Sequence, residues 1–156
     1  MKSLLFVTLI VFSMNTFSQN LNAQRIWKIS AKKRSIFLDK GVFHIDDMKG
    51  SNELIGLRNS YVKSRGYERL VFDFKGNTPP RLYGHLSKDK NKVFIDFFNT
   101  TLKKSIPSIS QIKYIKSVDF FTIDKNNLSV ELNLSNNVSY DIFYLTNPGR
   151  LVIDIQ

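Results

Sequence analysis

The sequence contains no cysteine, which excludes a disulfide framework and removes the lipid-accepting thiol of a bacterial lipoprotein. Stability must come from packing and sheet hydrogen bonds. Alanine is scarce too, with only Ala31 beyond residue 23, so the chain lacks the commonest helix former. Only two histidines occur, His44 and His85, and without cysteine partners or a helical ligand pair they do not predict a zinc site. No serine sits in a Gly-x-Ser-x-Gly turn, and no glycine loop could cradle a phosphate. No metal, cofactor or catalytic residue is therefore expected, and the chain does not read as an enzyme. A small hydrolase remains the third-ranked alternative, because the separation of two carboxylates is set only in three dimensions.

Acid is also in short supply. Thirteen Asp and Glu stand against 23 Lys and Arg, a formal net charge of +10. Such a balance attracts anionic partners: nucleic acid, acidic lipid headgroups, or the carboxylates and phosphates of a cell wall.

What is present begins with a targeting pattern. Lys2 is followed by the apolar run Leu4 to Phe12, too short for the roughly 20 residues that span a bilayer but of signal-peptide length. Cleavage after Ser18 or after Ala23 fits the small-residue rule. The expectation is an exported, periplasmic protein with no transmembrane segment in the mature chain, and export argues against nucleic acid as its partner.

Thirteen Phe, six Tyr and many Ile and Val favour strands. Arg25 to Ile29 alternates as a strand, and Ser35 to Leu38 and Val42 to Ile45 flank a turn at Asp39-Lys40-Gly41, which predicts a hairpin. Residues 24–50 thus form an N-terminal extension. Further strands are predicted at 54–57, 69–74, 81–86, 92–97, 112–115, 118–122, 128–134, 140–145 and 150–155, separated by Asn-, Asp-, Gly- and Pro-rich turns. Ser51 to Ser64 and Ser105 to Tyr114 are the two places that admit a short helix. The fold class is all-β, a β-sandwich.

An internal repeat organises residues 51–156. At an offset of 58, Lys92 to Phe97 lies over Arg150 to Ile155, and Leu70 to Phe74 lies over Leu128 to Leu132, with repeats near 54–98 and 112–156. Only Leu70, Ile95 and Asp96 match literally over residues 69–98, so the repeat is one of pattern. Two such copies would each carry one apolar face and bury it against the other. Period two turns Leu70, Phe72 and Phe74 inward with Val93, Ile95, Phe97, Leu151, Ile153 and Ile155. It leaves Arg69, Asp73, Lys92, Asp96, Arg150 and Asp154 outward, a basic and an acidic residue four apart on each strand.

The phrases Arg69-Leu-Val-Phe-Asp-Phe, Lys92-Val-Phe-Ile-Asp-Phe and Arg150-Leu-Val-Ile-Asp-Ile resemble the AMIN domain, over roughly residues 52–156. AMIN domains stand at the N-terminus of periplasmic N-acetylmuramoyl-L-alanine amidases and of type IV pilus secretins. The resemblance implies a sandwich of two similar sheets and a non-catalytic module that attaches to peptidoglycan or recruits an envelope protein complex. The matching positions are Arg69, Asp73, Asp96, Arg150 and Asp154, with Lys92 replacing an arginine. Departures are Asn127, Ser129 and Glu131, where the family pattern has Arg, an apolar residue and Asp.

Two roles suit the outward pairs. They either bind glycan hydroxyls and stem-peptide carboxylates, or they are cross-strand ion pairs on a solvated face. The basic groups Lys32-Lys33-Arg34, Arg58/Lys63/Arg65 and Lys103-Lys104 are either an anion-attracting rim or edge protection, and Trp27 is either a sugar platform or core. The reading is an exported envelope module that binds peptidoglycan. Its alternative is an assembly factor of a secretion or pilus system that docks a partner by a sheet face or an edge strand.

Overall fold

The computed structural model of the protein describes residues 34–36, 41–46, 50–87, 89, 91–106, 108–110, 113–135 and 138–156. The apolar run at 4–12, the cleavage positions and Trp27 lie outside them. Among the described residues there are eleven strands: β1 (Arg34–Ser35), β2 (Val42–Ile45), β3 (Asn52–Val62), β4 (Tyr67–Phe74), β5 (Leu82–Ser87), β6 (Lys92–Phe97), β7 (Thr100–Leu102), β8 (Ile115–Thr122), β9 (Leu128–Leu134), β10 (Tyr140–Leu145) and β11 (Arg150–Ile155). Among the described residues there is no α-helix, and none long and apolar enough to cross a membrane.

The strands form a β-sandwich. One sheet runs β1-β10-β11-β4-β3-β7 and the other β2-β5-β6-β9-β8. We call them sheet A and sheet B. The alternation Leu70, Phe72, Phe74 on β4 and Leu128, Val130, Leu132, Leu134 on β9 sends one face of each strand into a common core. Phe97 closes that core at the centre, with its ring 5.7 Å from Phe72 and 5.3 Å from Phe74.

The repeat is present, but its copies are interleaved. Sheet A joins β3 and β4 of the first copy to β10 and β11 of the second, and sheet B joins β5 and β6 to β8 and β9. Each copy therefore crosses between the sheets instead of folding on its own and then docking. The offset of 58 carries β5 and β6 onto β10 and β11. The ladders shift the rest: Asp73 opposes Arg150, whereas Asn133 opposes Lys92, the counterpart of Arg150. Phe74 thus corresponds to Leu134, an offset of 60. The register breaks at Leu54/Gly56 in β3 and at Ile115/Ser117 in β8 then coincide at an offset of 61. Turns of unequal length between strands of equal role account for the drift, and an ungapped comparison cannot see it.

Three expectations change. Ser51 to Ser64 is not helical but the long strand β3, because Leu54 and Leu57 pack into the core on either side of the bulge. The described residues 105–106, 108–110 and 113–114 form loop. β1 and β2 do not pair as a hairpin; β1 adds to β10 in sheet A and β2 to β5 in sheet B, so this segment supplies one short outer strand to each sheet.

Glu68 ties the two sheets together at one end. It is fully buried on the inward face of β4, and its Oε2 accepts the backbone N–H of Lys113, Tyr114 and Ile115 at 3.3, 2.7 and 3.1 Å. Oε1 accepts from Asn59 Nδ2 at 2.9 Å. A buried carboxylate with four donors is fully solvated by protein, which is what makes its burial tolerable.

Candidate ligand-binding faces

Period-two alternation presents two outer faces, one on each sheet, and cross-strand register arranges each in rows. On sheet A the rows are Asp141–Asp154–Arg69–Ser60, then Phe143–Val152–Val71–Arg58, then Leu145–Arg150–Asp73–Gly56. The structure thus gathers Arg69, Asp73, Arg150 and Asp154 on one face. Lys92 and Asp96 lie on the opposite face of the sandwich, on β6 of sheet B. The six positions make two surfaces, not one.

Sheet A's charges largely satisfy one another. Arg69 grips Asp154 with Nε and Nη2, both at 2.6 Å, and its guanidinium lies 5.1 Å from the Tyr67 ring and 5.6 Å from the Phe143 ring. Arg58 grips Asp73 at 2.6 and 2.8 Å. These carboxylates hold both guanidinium pKa values above the ordinary arginine range, through the hydrogen bonds first and charge attraction second. Gly56 lies against Asp73, where an added Cβ would sit 3.3 Å from its Oδ2. Arg150 differs: its Nε is buried without a hydrogen-bond partner, since Asp73 opposite is held by Arg58.

Sheet B carries different chemistry at equivalent places. Its rows are His44–Tyr83–Asp96–Ser129–Phe121, then Val42–His85–Phe94–Glu131–Asp119, then Ser87–Lys92–Asn133–Ser117. Ser129 stands where sheet A has Arg69, Asn133 where it has Asp73, and Tyr83 where it has Asp141. The fork-to-carboxylate grips are gone. In their place His85 and Phe94 stack at 4.9 Å with planes 16° apart, and Lys92 reaches diagonally to Glu131. Asn133 Nδ2 donates to Ser117 Oγ at 2.9 Å and Asp119 Oδ2 at 3.0 Å.

Tyr83 and Phe121 are 42% and 53% exposed, large apolar surface that solvent alone does not favour. At the β2 end the face deepens into an open cup of about 380 Å³, lined by His44, Asp46, Arg81, Leu82, Tyr83 and Phe98. Arg81 lies over the Phe98 ring at 4.4 Å, and His44 Nδ1 is 2.8 Å from Asp46 Oδ2. An aromatic wall, a guanidinium and the Asp46 carboxylate around a shallow hollow, with Asp96 opposite Tyr83, can stack a sugar ring and accept its hydroxyls. Arg81, Tyr83 and Phe98 escape a reading based on the basic–acidic strand phrase. The signal that could find Tyr83 is alternation: period two on β5 buries Leu82 and Gly84 and turns a large aromatic outward between them.

Among the described residues no cluster of three or more His, Asp or Glu side chains could hold a metal ion. No curated protein matches the chain. The family model of the AMIN domain matches residues 117–156, from β8 through β11, so the resemblance carried by Arg150 to Ile155 is met across the second copy of the repeat.

Proposed function

We propose that the chain is a non-catalytic module of the cell envelope that binds peptidoglycan glycan through the outer face of sheet B. The AMIN match over residues 117–156 supports the envelope setting, since AMIN domains are non-catalytic modules of wall amidases and secretins. The observation that carries the choice of face is Tyr83, exposed beside Arg81 and Phe98 and directly opposite Asp96. Tyr83 stacks on a sugar ring, Asp96 accepts ring hydroxyls, and Arg81 takes a carboxylate of the lactyl ether or stem peptide. Lys92 positions Glu131 in the same face. Arg69, Asp73 and Asp154 hold sheet A together. Export and cleavage of a leader complete the reading.

Co-sedimentation with purified sacculi tests it. The chain pellets at low salt, and Tyr83→Ala combined with Arg81→Ala lowers pelleting at least tenfold with unchanged thermal unfolding. A chain that stays in the supernatant beside a pelleting control protein ends the glycan reading.

A further inference from the structure

Sheet B's outer face carries two of the three large apolar side chains that stand exposed among the described residues, Tyr83 and Phe121. Both belong to the cross-strand row His44–Tyr83–Asp96–Ser129–Phe121, which runs over β2, β5, β6, β9 and β8. Three strand spacings separate the two rings, about 14 Å at the usual spacing within a sheet. Asp96 and Ser129 lie between them.

The rows of this face use their polar groups differently. In the second row Glu131 is held by Lys92, and His85 lies flat against the Phe94 ring. Ser117, Asp119 and Asn133 bond to one another across the second and third rows. Asp96 and Ser129 have no side-chain hydrogen bond or ion pair among the described residues. The first row thus places a carboxylate acceptor and a hydroxyl, both unused by the protein, between two open aromatic platforms. Ser129 is small, so the floor between the platforms stays low.

A glycan matches that row in pitch. Successive rings of an extended β-1,4-linked chain advance by about one strand spacing, so rings three apart reach Tyr83 and Phe121 together. We infer that the glycan crosses the strands of sheet B along this row, that Phe121 is its second stacking platform, and that a full site takes four consecutive sugars. The two middle rings lie over Asp96 and Ser129, which serve their hydroxyls. This footprint rests on the glycan reading above and adds to it a direction, a length and a binding residue on β8.

Peptide-free glycan fragments, released from sacculi by amidase and muramidase and fractionated as di-, tetra- and hexasaccharide, are titrated against the whole chain by calorimetry. The tetrasaccharide is expected to bind about tenfold tighter than the disaccharide, and the hexasaccharide within about threefold of the tetrasaccharide. Phe121→Ala removes the advantage of the tetrasaccharide and leaves disaccharide binding within about twofold, because Tyr83 with Arg81 and Phe98 offers the disaccharide its better place. Phe121→Tyr keeps the advantage. Ile123→Ala, which trims a comparably exposed apolar side chain just outside the row, changes neither affinity. Equal affinity for di- and tetrasaccharide, a further tenfold gain at the hexasaccharide, or equal losses in Phe121→Ala and Ile123→Ala overturns the footprint. So does pelleting with sacculi without binding to any fragment, which leaves wall attachment standing. A chain that neither binds a fragment nor pellets overturns the glycan reading and the footprint with it.

Discussion

Arg69 and Asp154 stand directly opposite each other on β4 and β11, 85 residues apart in the chain, and close a two-bond grip across the junction of the two copies. The Asp154 side chain is only 14% exposed and that of Arg69 36%, so water competes weakly for the pair. Asp96 occupies the same place in the second sheet but faces Ser129 and Tyr83 instead of an arginine. Asp154→Asn is therefore expected to cost about 1–3 kcal/mol, and Asp96→Asn within about 0.5 kcal/mol. Urea unfolding of the two variants decides it; equal losses would show that the grip contributes nothing beyond a surface pair.

Glu68 is the more severe test of what holds the sheets in register. Glu68→Ala leaves the N–H of Tyr114 and the buried N–H of Ile115 without their acceptor. A loss of about 2–4 kcal/mol is expected, with faster amide exchange at 113–115 before any change in β10 or β11. Unchanged exchange at those three amides would show that another acceptor replaces the carboxylate.

Much of this fold is legible in the residues. The predicted strands at 92–97, 128–134, 140–145 and 150–155 coincide with β6, β9, β10 and β11, because period two puts an unbroken apolar set on one face of each, such as Val93, Ile95 and Phe97 or Leu151, Ile153 and Ile155. β3 is harder to read. Its bulge at Leu54/Gly56 breaks the period, and polar Asn59 sits on the inward face to serve Glu68. β7 holds only Thr100 to Leu102 and gains its identity from β3, a partner 48 residues earlier. The outward direction of the six basic and acidic positions follows from period two. Their division between two opposite faces does not, since interleaving of the copies is a tertiary fact with no local signature.

Gly84 and Phe43 form a pair that sequence alone does not suggest. They face each other across β5 and β2, and a Cβ on residue 84 would lie 2.2 Å from the Phe43 ring. The counterpart of Gly84 in sheet A is Ile142, which fills its own space. Gly84→Ala is expected to cost about 1–3 kcal/mol by overpacking, since the fully buried ring has nowhere to retreat. Phe43→Leu in the same chain should recover part of that loss. A double-mutant cycle in urea measures the coupling, and strict additivity would mean the ring moves freely.

Tyr140 gives the alkaline limit a specific cause. Its phenol packs against the core at the start of β10, and burial raises its pKa above the usual 10.0 by disfavouring the phenolate. A raised folded-state value means the native chain holds a proton that the unfolded chain releases. The stabilisation is complete below about pH 10 and is lost as pH rises through the higher folded value. Tyr140→Phe removes this linkage, so its midpoint in urea should fall less steeply between about pH 9.5 and 11 than that of the parent chain. Parallel slopes for the two chains would assign the alkaline loss to other groups.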